Sequence, residues 1–432
     1  VLFVAKSTII GNKGPFLGEY TPPGDKSISH RAVILGSLAS GKCKITGFLN
    51  GEDTFSTVNA FKNLGIDITS DNSGIIVHGK GLMGLNEPSY IIDAGNSGTT
   101  ARLLLGLLSG QLFNSEITGD SYLIKRPMGR VVKPLGLMGA IIKGENSSDN
   151  LPLRIHGQKL SGISYELPVA SAQVKSALIL AGLYAEGVTE IIQPQNSRDH
   201  TERMLGHFGV NIGINKNTIS VSRIDDYKAV DLIIPSDISS ASFFIVCALI
   251  NNGSELLIRN VGLNPERTGV IDILRRMGGK IELLDQREEC GEPVGDILVK
   301  SSKLKGIEIK GDLIPKAIDE IPVIAVASCF AEGETVISGA GELRVKETDR
   351  IRAMTSELLK LGANISELED GMIINGAESL EGNVCESWGD HRVAMSIAVA
   401  ATRAKGETTI NDSESVNISY PEFFNTLERM RS

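Results

Sequence analysis

Pro23-Gly-Asp-Lys-Ser-Ile-Ser-His-Arg31, with the apolar run from Ala32 to Ala39 behind it, sets a pattern that the rest of the chain repeats. Gly24 interrupts what precedes it, and Asp25 or Ser27 can cap a helix that begins there. Lys26 and Arg31 add two cations beside a hydroxyl. They stand where unpaired amides and the positive end of the helix dipole already favour anions. One such start would be an ordinary capped surface helix with solvated charges. This chain builds the same kind of start six times.

Each copy has a short polar start, a helix of small apolar residues, a turn and a β-rich tail. The copies are Ser27–Thr46, Ser97–Thr118, Ser171–Ile192, Ser239–Arg259, Asp319–Ser338 and Asp390–Asn411, with starts 68 to 80 residues apart. Helices that are apolar nearly all round, with Ala, Gly and Ser allowing close approach, belong inside a domain. A second, amphipathic helix follows in each unit. Five of these end in a shared phrase: Leu64-Gly-Ile-Asp-Ile68, Met138-Gly-Ala-Ile-Ile142, Phe208-Gly-Val-Asn-Ile212, Met277-Gly-Gly-Lys-Ile281 and Leu361-Gly-Ala-Asn-Ile365. The Gly suits the left-handed position after a helix, and the β-branched residues beyond it start a strand.

Each unit therefore reads as strand–helix–strand–helix–strand–strand. The fold class is α/β, with two similar domains of three βαβαββ units around buried parallel helices. Asp231–Ile238, broken by Pro235, is the expected crossover between them. The sixth unit has no final strand of its own, so the N-terminal strand is expected to complete the second domain. That assigns residues 1–22 and 237–432 to one domain and 23–236 to the other, with the active site in the cleft between them.

The chain of 432 residues is 41% hydrophobic and 22% charged, which provides for more than one core. A net charge of −9 offers no overall basic field for nucleic acid or acidic membrane, so an anionic ligand needs a local cluster of cations. Aromatic residues make up 5%, with Trp388 the one tryptophan, too few for base-stacking platforms. Five dispersed cysteines form neither a disulfide framework nor a zinc pattern. With no signal-peptide pattern and no uncharged run of membrane-spanning length, a cytoplasmic location is expected.

The polar clusters follow the helix starts. In Asp93–Arg102, Gly95 and Gly98 let the backbone approach a ligand while Asn96 and Thr99 offer donors; the spacing is neither a dinucleotide fingerprint nor a Walker A loop. In Gly119–Arg130, Arg126 can clamp a carboxylate or phosphate, Pro127 is expected in the first turn of a helix, and Lys125 and Arg130 read as solvated. Ser171, Ala172 and Gln173 open the third buried helix with neutral donors, whereas Lys175 could equally face solvent. Ser197–Arg203 reads as domain-building through an Asp199–Arg203 pair, with Arg198 the member expected to reach the cleft. Asp319 and Glu320 can cap a helix or act as a base. Glu342–Arg350 crowds charges at another start, and Asp390, His391 and Arg392 head the sixth without a nucleophile-elbow Ser or Cys.

Gly24–Arg31, Gly95–Arg102, Ser171–Gln173, Arg344–Arg350 and Asp390–Met395 together resemble the 3-phosphoshikimate 1-carboxyvinyltransferase (EPSP synthase) family, collinearly over essentially the whole chain. The resemblance implies an inside-out α/β barrel in each domain. It also implies transfer of the carboxyvinyl group of phosphoenolpyruvate to the 5-hydroxyl of shikimate 3-phosphate, without metal or organic cofactor. Lys26, Ser27, Arg31, Ser171, Ala172 and Gln173 are then shikimate-phosphate ligands, with Asp319 and Lys346 on the ring hydroxyls. Gly98, Arg126, Arg350 and Arg392 form the phosphoenolpyruvate cradle, Asn96 lies beside it, and Lys26 and Gln173 can touch both substrates. Asp319 corresponds to the base toward the 5-hydroxyl and Glu347 to the acid toward the methylene carbon, with Lys26 also counted as catalytic.

Two departures point to a divergent second class that tends to tolerate glyphosate: no Lys in Asn417-Ile-Ser-Tyr-Pro421, and Leu103 where many members have Pro. Gly98 nonetheless leaves room for that inhibitor, so sensitivity stays open. The related UDP-N-acetylglucosamine enolpyruvyl transferases typically carry a reactive Cys in the loop corresponding to Tyr122–Arg130, which has none here. An RNA-binding relative is disfavoured by net acidity, and a non-catalytic anion binder would need the cations but not Asp319 and Glu347. A monomer without nucleic-acid or membrane partners is expected.

Overall fold

The computed structural model of the chain describes residues 5–71, 74–145 and 149–431. It contains two compact units. One comprises Gly24–Ile234 together with Glu288–Glu292; the other comprises the residues up to Pro23, Pro235–Arg287 and those from Pro293 onward. Glu288–Glu292 spans the turn between strands Lys280–Glu289 and Glu292–Lys300, and no sequence signal had marked it.

The six buried helices form where the repeats put them: α1 Lys26–Leu38, α2 Gly98–Ser109, α3 Ala172–Gly182, α4 Ile238–Ile250, α5 Ile321–Cys329 and α6 His391–Ala401. Five have side-chain caps. Asp25 accepts from the Ile28 amide at 2.9 Å, Ser97 from Thr100 at 3.1 Å, and Ser171 from Val174 at 3.4 Å. Asp237 accepts from Ser239 at 3.0 Å and Asp390 from Arg392 at 2.8 Å. Each such cap is worth on the order of 1 kcal/mol. Packing contributes more, because every residue of α4 is buried and a fully buried Leu, Ile or Phe stabilises by roughly 1.5–3 kcal/mol. In the Gly24–Ile234 unit, α2 lies so close to α3 that a Cβ on Gly106 would run into the Ala177 backbone.

Each unit carries its sheets outside these helices, and the sheets share one design. After α2, α3 and α5 the next strand pairs in parallel with the strand before the helix and antiparallel with a later one; after α1, α4 and α6 one of those partners comes from elsewhere in the unit. In the Gly24–Ile234 unit the central strands are Ser40–Thr46, Asn114–Thr118 and Val188–Ile192. Ile92–Asp93 and Ser164–Glu166 lead the second and third; the first takes its parallel neighbour, Leu232–Ile233, from the end of the unit. In the other unit Leu17–Tyr20 runs parallel to Glu255–Gly262, and Lys6–Ile10 pairs antiparallel with Glu407–Asn411, with Lys6 opposite Asn411. The N-terminal residues thus add strands to two different sheets.

The five shared Leu/Met/Phe-Gly phrases end the amphipathic helices. Gly65, Gly139, Gly209, Gly278 and Gly362 all have φ between +79° and +99°, which a side chain would strain. Pro127 differs from expectation. The helix begins at Gly129, not at Pro127, because Met128 donates its amide to the Asp149 carbonyl and Arg126, ahead of a proline, is extended at ψ 131°. Cys43, Cys247, Cys329 and Cys385 are buried apolar fillers, and burial pushes the Cys329 thiol up to about 12. Among the described residues no helix is long and apolar enough to cross a membrane.

Candidate active site

Within the Gly24–Ile234 unit, α1 presents Lys26, Ser27 and Arg31 at its first turns. Lys26 Nζ lies 3.0 Å from Asp53 Oδ2, with both side chains largely buried. Arg31 is held on three sides: it donates to the Ser27 carbonyl at 3.0 Å, the Thr201 hydroxyl at 2.7 Å and the Ser176 hydroxyl at 2.7 Å. Burial lowers its pKa to about 10 against the pull of Glu202 and Asp25, so it is a cation at neutral pH. Buried His30 beside it donates or accepts at Thr57 Oγ1, 2.7 Å away. Burial, then Lys26 and Arg31, hold its pKa well below the usual histidine value.

The start of α2 is tied to that of α3. Gln173 donates to Thr99 Oγ1 at 2.9 Å and accepts from Arg102 at 2.8 Å. Gly98 opens α2, and a Cβ there would come within 3.1 Å of Arg126 Nη1, so the guanidinium lies against the backbone. Asn96 donates to Asp120 at 2.7 Å, and Asp120 accepts the Tyr122 and Leu123 amides, which anchors the turn leading to Arg126. Ser171 spends its hydroxyl on the helix cap, while Ala172 is the first helical residue. Because Gln173 and Ser176 are one turn apart, α3 links the Arg102–Gln173 group to the Arg31 group.

Lys175 does not face solvent. It is 1% exposed, 2.7 Å from Glu202, and donates to the Ser197 carbonyl at 2.9 Å. The Asp199–Arg203 pair forms at 2.8 Å, and Arg198 is half-buried and near enough to Arg31 to lower its pKa.

In the other unit the charges gather around Arg350, which is 1% exposed. Its guanidinium reaches Asp390 at 2.8 Å, Glu347 at 2.5 Å and Asp319 at 3.3 Å. Lys346 lies 3.5 Å from Asp319, and Arg392 lies 3.9 Å from the Asp319 carboxylate while donating to its backbone carbonyl at 3.0 Å. Burial alone would lower the pKa of Arg350, but Asp390, Glu347 and Asp319 together raise it well above the ordinary arginine value. Asp319, Lys346, Glu347, Arg350 and Arg392 are therefore one cluster.

Arg344 is outside it. It donates to the Glu369 and Leu368 carbonyls at 2.6 Å and pairs with Asp349 at 2.7 Å and Glu367 at 2.8 Å, which pins the turn Gly341–Val345. Asp390 acquires a double task, capping α6 and holding Arg350, that its place beside His391 did not reveal. Asp53, Ser176 and Thr201 were likewise missed as partners; nothing local marks them, since each depends on a contact distant in sequence.

Cationic helix starts in each unit, with Asp53 beside Lys26 in one and Asp319, Glu347 and Asp390 around Arg350 in the other, define a two-domain α/β protein with seats for small anions. The EPSP synthase (3-phosphoshikimate 1-carboxyvinyltransferase) family matches this chain over residues 11–427. The 3-phosphoshikimate 1-carboxyvinyltransferase of Geobacter metallireducens is 56% identical over 96% of both chains, and that of Syntrophotalea carbinolica 52% identical over 99% of this chain and 100% of its own. A solved EPSP synthase from Acinetobacter baumannii superposes with a TM-score of 0.89 at 45% identity, covering 99% of this chain and 98% of that one. The chain belongs to the EPSP synthase family.

Proposed function

We infer that this member of the family is an enzyme of the shikimate pathway that transfers the carboxyvinyl group of phosphoenolpyruvate to the 5-hydroxyl of shikimate 3-phosphate, releasing phosphate. The observation that carries the residue assignment is the cluster around Arg350, where three cations stand beside Asp319 and Glu347. In this reading Lys26, Ser27, Arg31, Ser171, Ala172 and Gln173 bind shikimate 3-phosphate, with Asp319 and Lys346 on its ring hydroxyls. Gly98, Arg126, Arg350 and Arg392 hold phosphoenolpyruvate, with Asn96 supporting them and Lys26 and Gln173 shared.

Asp319 takes the proton of the 5-hydroxyl as that oxygen bonds to C2 of phosphoenolpyruvate, and Glu347 delivers a proton to C3. Loss of phosphate and of one proton from the new methyl group then restores the double bond. Lys26 balances the charge that builds up on the phosphate, an electrostatic contribution that grows when water is excluded. The assignment draws ligands both from residues 23–236 and from residues 1–22 with 237–432. The protein acts as a cytoplasmic monomer; light scattering from the purified chain would test the monomer.

The deciding assay is phosphate release from phosphoenolpyruvate with shikimate 3-phosphate as acceptor, run beside UDP-N-acetylglucosamine. Turnover only with the second acceptor would overturn the assignment. Asp319→Ala should abolish phosphate release while shikimate 3-phosphate still binds.

A further inference from the structure

Glu320 has no part in the account above. It occupies the cap position of α5, directly after Asp319, and is 1% exposed, yet its side chain makes no bond to the helix amides. It turns instead to the start of α4, where its Oε1 accepts from the Ser239 hydroxyl. Two guanidiniums approach that same oxygen at 3.9 Å: Nη2 of Arg267 and Nη1 of Arg392. Arg267, itself 3% exposed, is fixed by Asp237 at 3.1 Å and by the Ser239 oxygen at 2.8 Å. The groups form a line of alternating charge, Asp237–Arg267–Glu320–Arg392–Asp319, ending at the carboxylate assigned as base.

Helix stability does not account for this line. A Ser, Thr or Asn at the same position would cap α5 without placing a charge out of water. A buried ion pair is weak evidence for stability, because desolvation offsets much of the attraction. The second oxygen, Glu320 Oε2, is buried with no hydrogen-bond partner among the described residues, which adds to the cost. What the carboxylate does gain is command over Arg392. Without its charge, Arg267 and Arg392 would face each other as like charges, and Arg392 would be drawn toward Asp319 alone.

We propose that Glu320 is a positioning residue, backed by Arg267 and Ser239, that sets the guanidinium of Arg392 for phosphoenolpyruvate and keeps it from closing onto Asp319. The proposal rests on Arg392 belonging to the phosphoenolpyruvate cradle, so its test includes that residue.

Steady-state kinetics on the full chain, with calorimetric binding of shikimate 3-phosphate, should be measured for Glu320→Gln, Glu320→Asp and Arg392→Lys. Glu320→Gln should raise the KM for phosphoenolpyruvate about tenfold, the equivalent of about 1.4 kcal/mol, and leave shikimate 3-phosphate affinity within about twofold. Glu320→Asp, which retains the charge, should fall between it and the native protein. A native KM in Glu320→Gln beside an impaired Arg392→Lys overturns the proposal and leaves the cradle standing. A native KM in Arg392→Lys overturns both. Equal losses for the two substrates would mark a merely structural role and also overturn the proposal. Should Glu320→Gln fail to fold, Ser239→Ala decides: a raised KM for phosphoenolpyruvate alone supports positioning, and a native KM refutes it.

Discussion

Replacing Asp390 by Asn removes one negative charge from Arg350 while keeping side-chain shape and the cap on α6, since Asn accepts a helix amide about as well as Asp. Around Arg350 the cations of Lys346, Arg350 and Arg392 face the carboxylates of Asp319, Glu347 and Asp390, so the substitution leaves that group with an excess positive charge. Removing one partner of a buried pair costs about 3–5 kcal/mol. Because Glu347 and Asp319 stay on the guanidinium, the low end, about 3 kcal/mol, applies. For a unit of this size each kcal/mol lowers the melting temperature by about 2–4 °C, so the ligand-free variant should melt about 6–12 °C below the native protein.

Phosphoenolpyruvate brings negative charge to the same guanidinium in the proposed cradle. It should therefore raise the melting temperature of Asp390→Asn by more than it raises the native one. The measurement is a thermal melt followed by circular dichroism, without ligand and with phosphoenolpyruvate alone. Equal melting of the two ligand-free proteins would refute the idea that Asp390 neutralises Arg350. An equal ligand-induced rise would refute the placing of phosphoenolpyruvate there.

His30 predicts a pH dependence. In the unfolded chain it takes up a proton below about pH 6.5, whereas burial keeps it neutral in the folded protein until well below that value. The unfolded state then binds more protons, so stability drops as the pH is lowered below about 6.5, by up to about 1.4 kcal/mol per pH unit. Urea unfolding at pH 7 and pH 5 should show native protein losing about 2 kcal/mol more than His30→Gln; identical losses would contradict a neutral buried imidazole. Gly98→Ala would set a Cβ 2.6 Å from Arg102 Nη1 and 3.1 Å from Arg126 Nη1, so both guanidiniums must move. Its KM for phosphoenolpyruvate should rise about tenfold, and an unchanged KM would remove Arg126 from the cradle. Lys175→Met should destabilise by about 3–5 kcal/mol by stranding Glu202, and Lys175→Met with Glu202→Leu should recover most of it. Additive losses in urea titrations would count against the pair.

The six buried helices were legible because their determinants are local: a polar cap, an apolar surface all round, and a following unit that closes on a left-handed Gly. The N-terminal strand was expected to complete the second domain, but other strands that complete the sheets were not legible. Leu232–Ile233 is two residues long, and its pairing with Ser40–Thr46 depends on a partner nearly 190 positions away. The turn Glu288–Glu292, whose Glu292 meets His200 at 2.7 Å, is of the same kind.

Within the site, the sequence identified the cations but not which of them a ligand could reach. Lys175 and Arg350 are both 1% exposed, and each stands near a helix start, Lys175 among neutral residues and Arg350 among charged ones. Their partners separate them. Glu202, the partner of Lys175, is 2% exposed, which leaves no opening through which a substrate anion could replace it. Two partners of Arg350, Asp319 and Glu347, remain 13% and 21% exposed, so a substrate oxygen can reach those carboxylates and displace one from the buried guanidinium. A buried cation with a sealed partner holds the fold, and one whose partners are partly open can exchange an internal anion for an external one. Arg31 is of a third kind, held by hydroxyls and a carbonyl, so an arriving phosphate meets a guanidinium that no carboxylate among the described residues directly pairs.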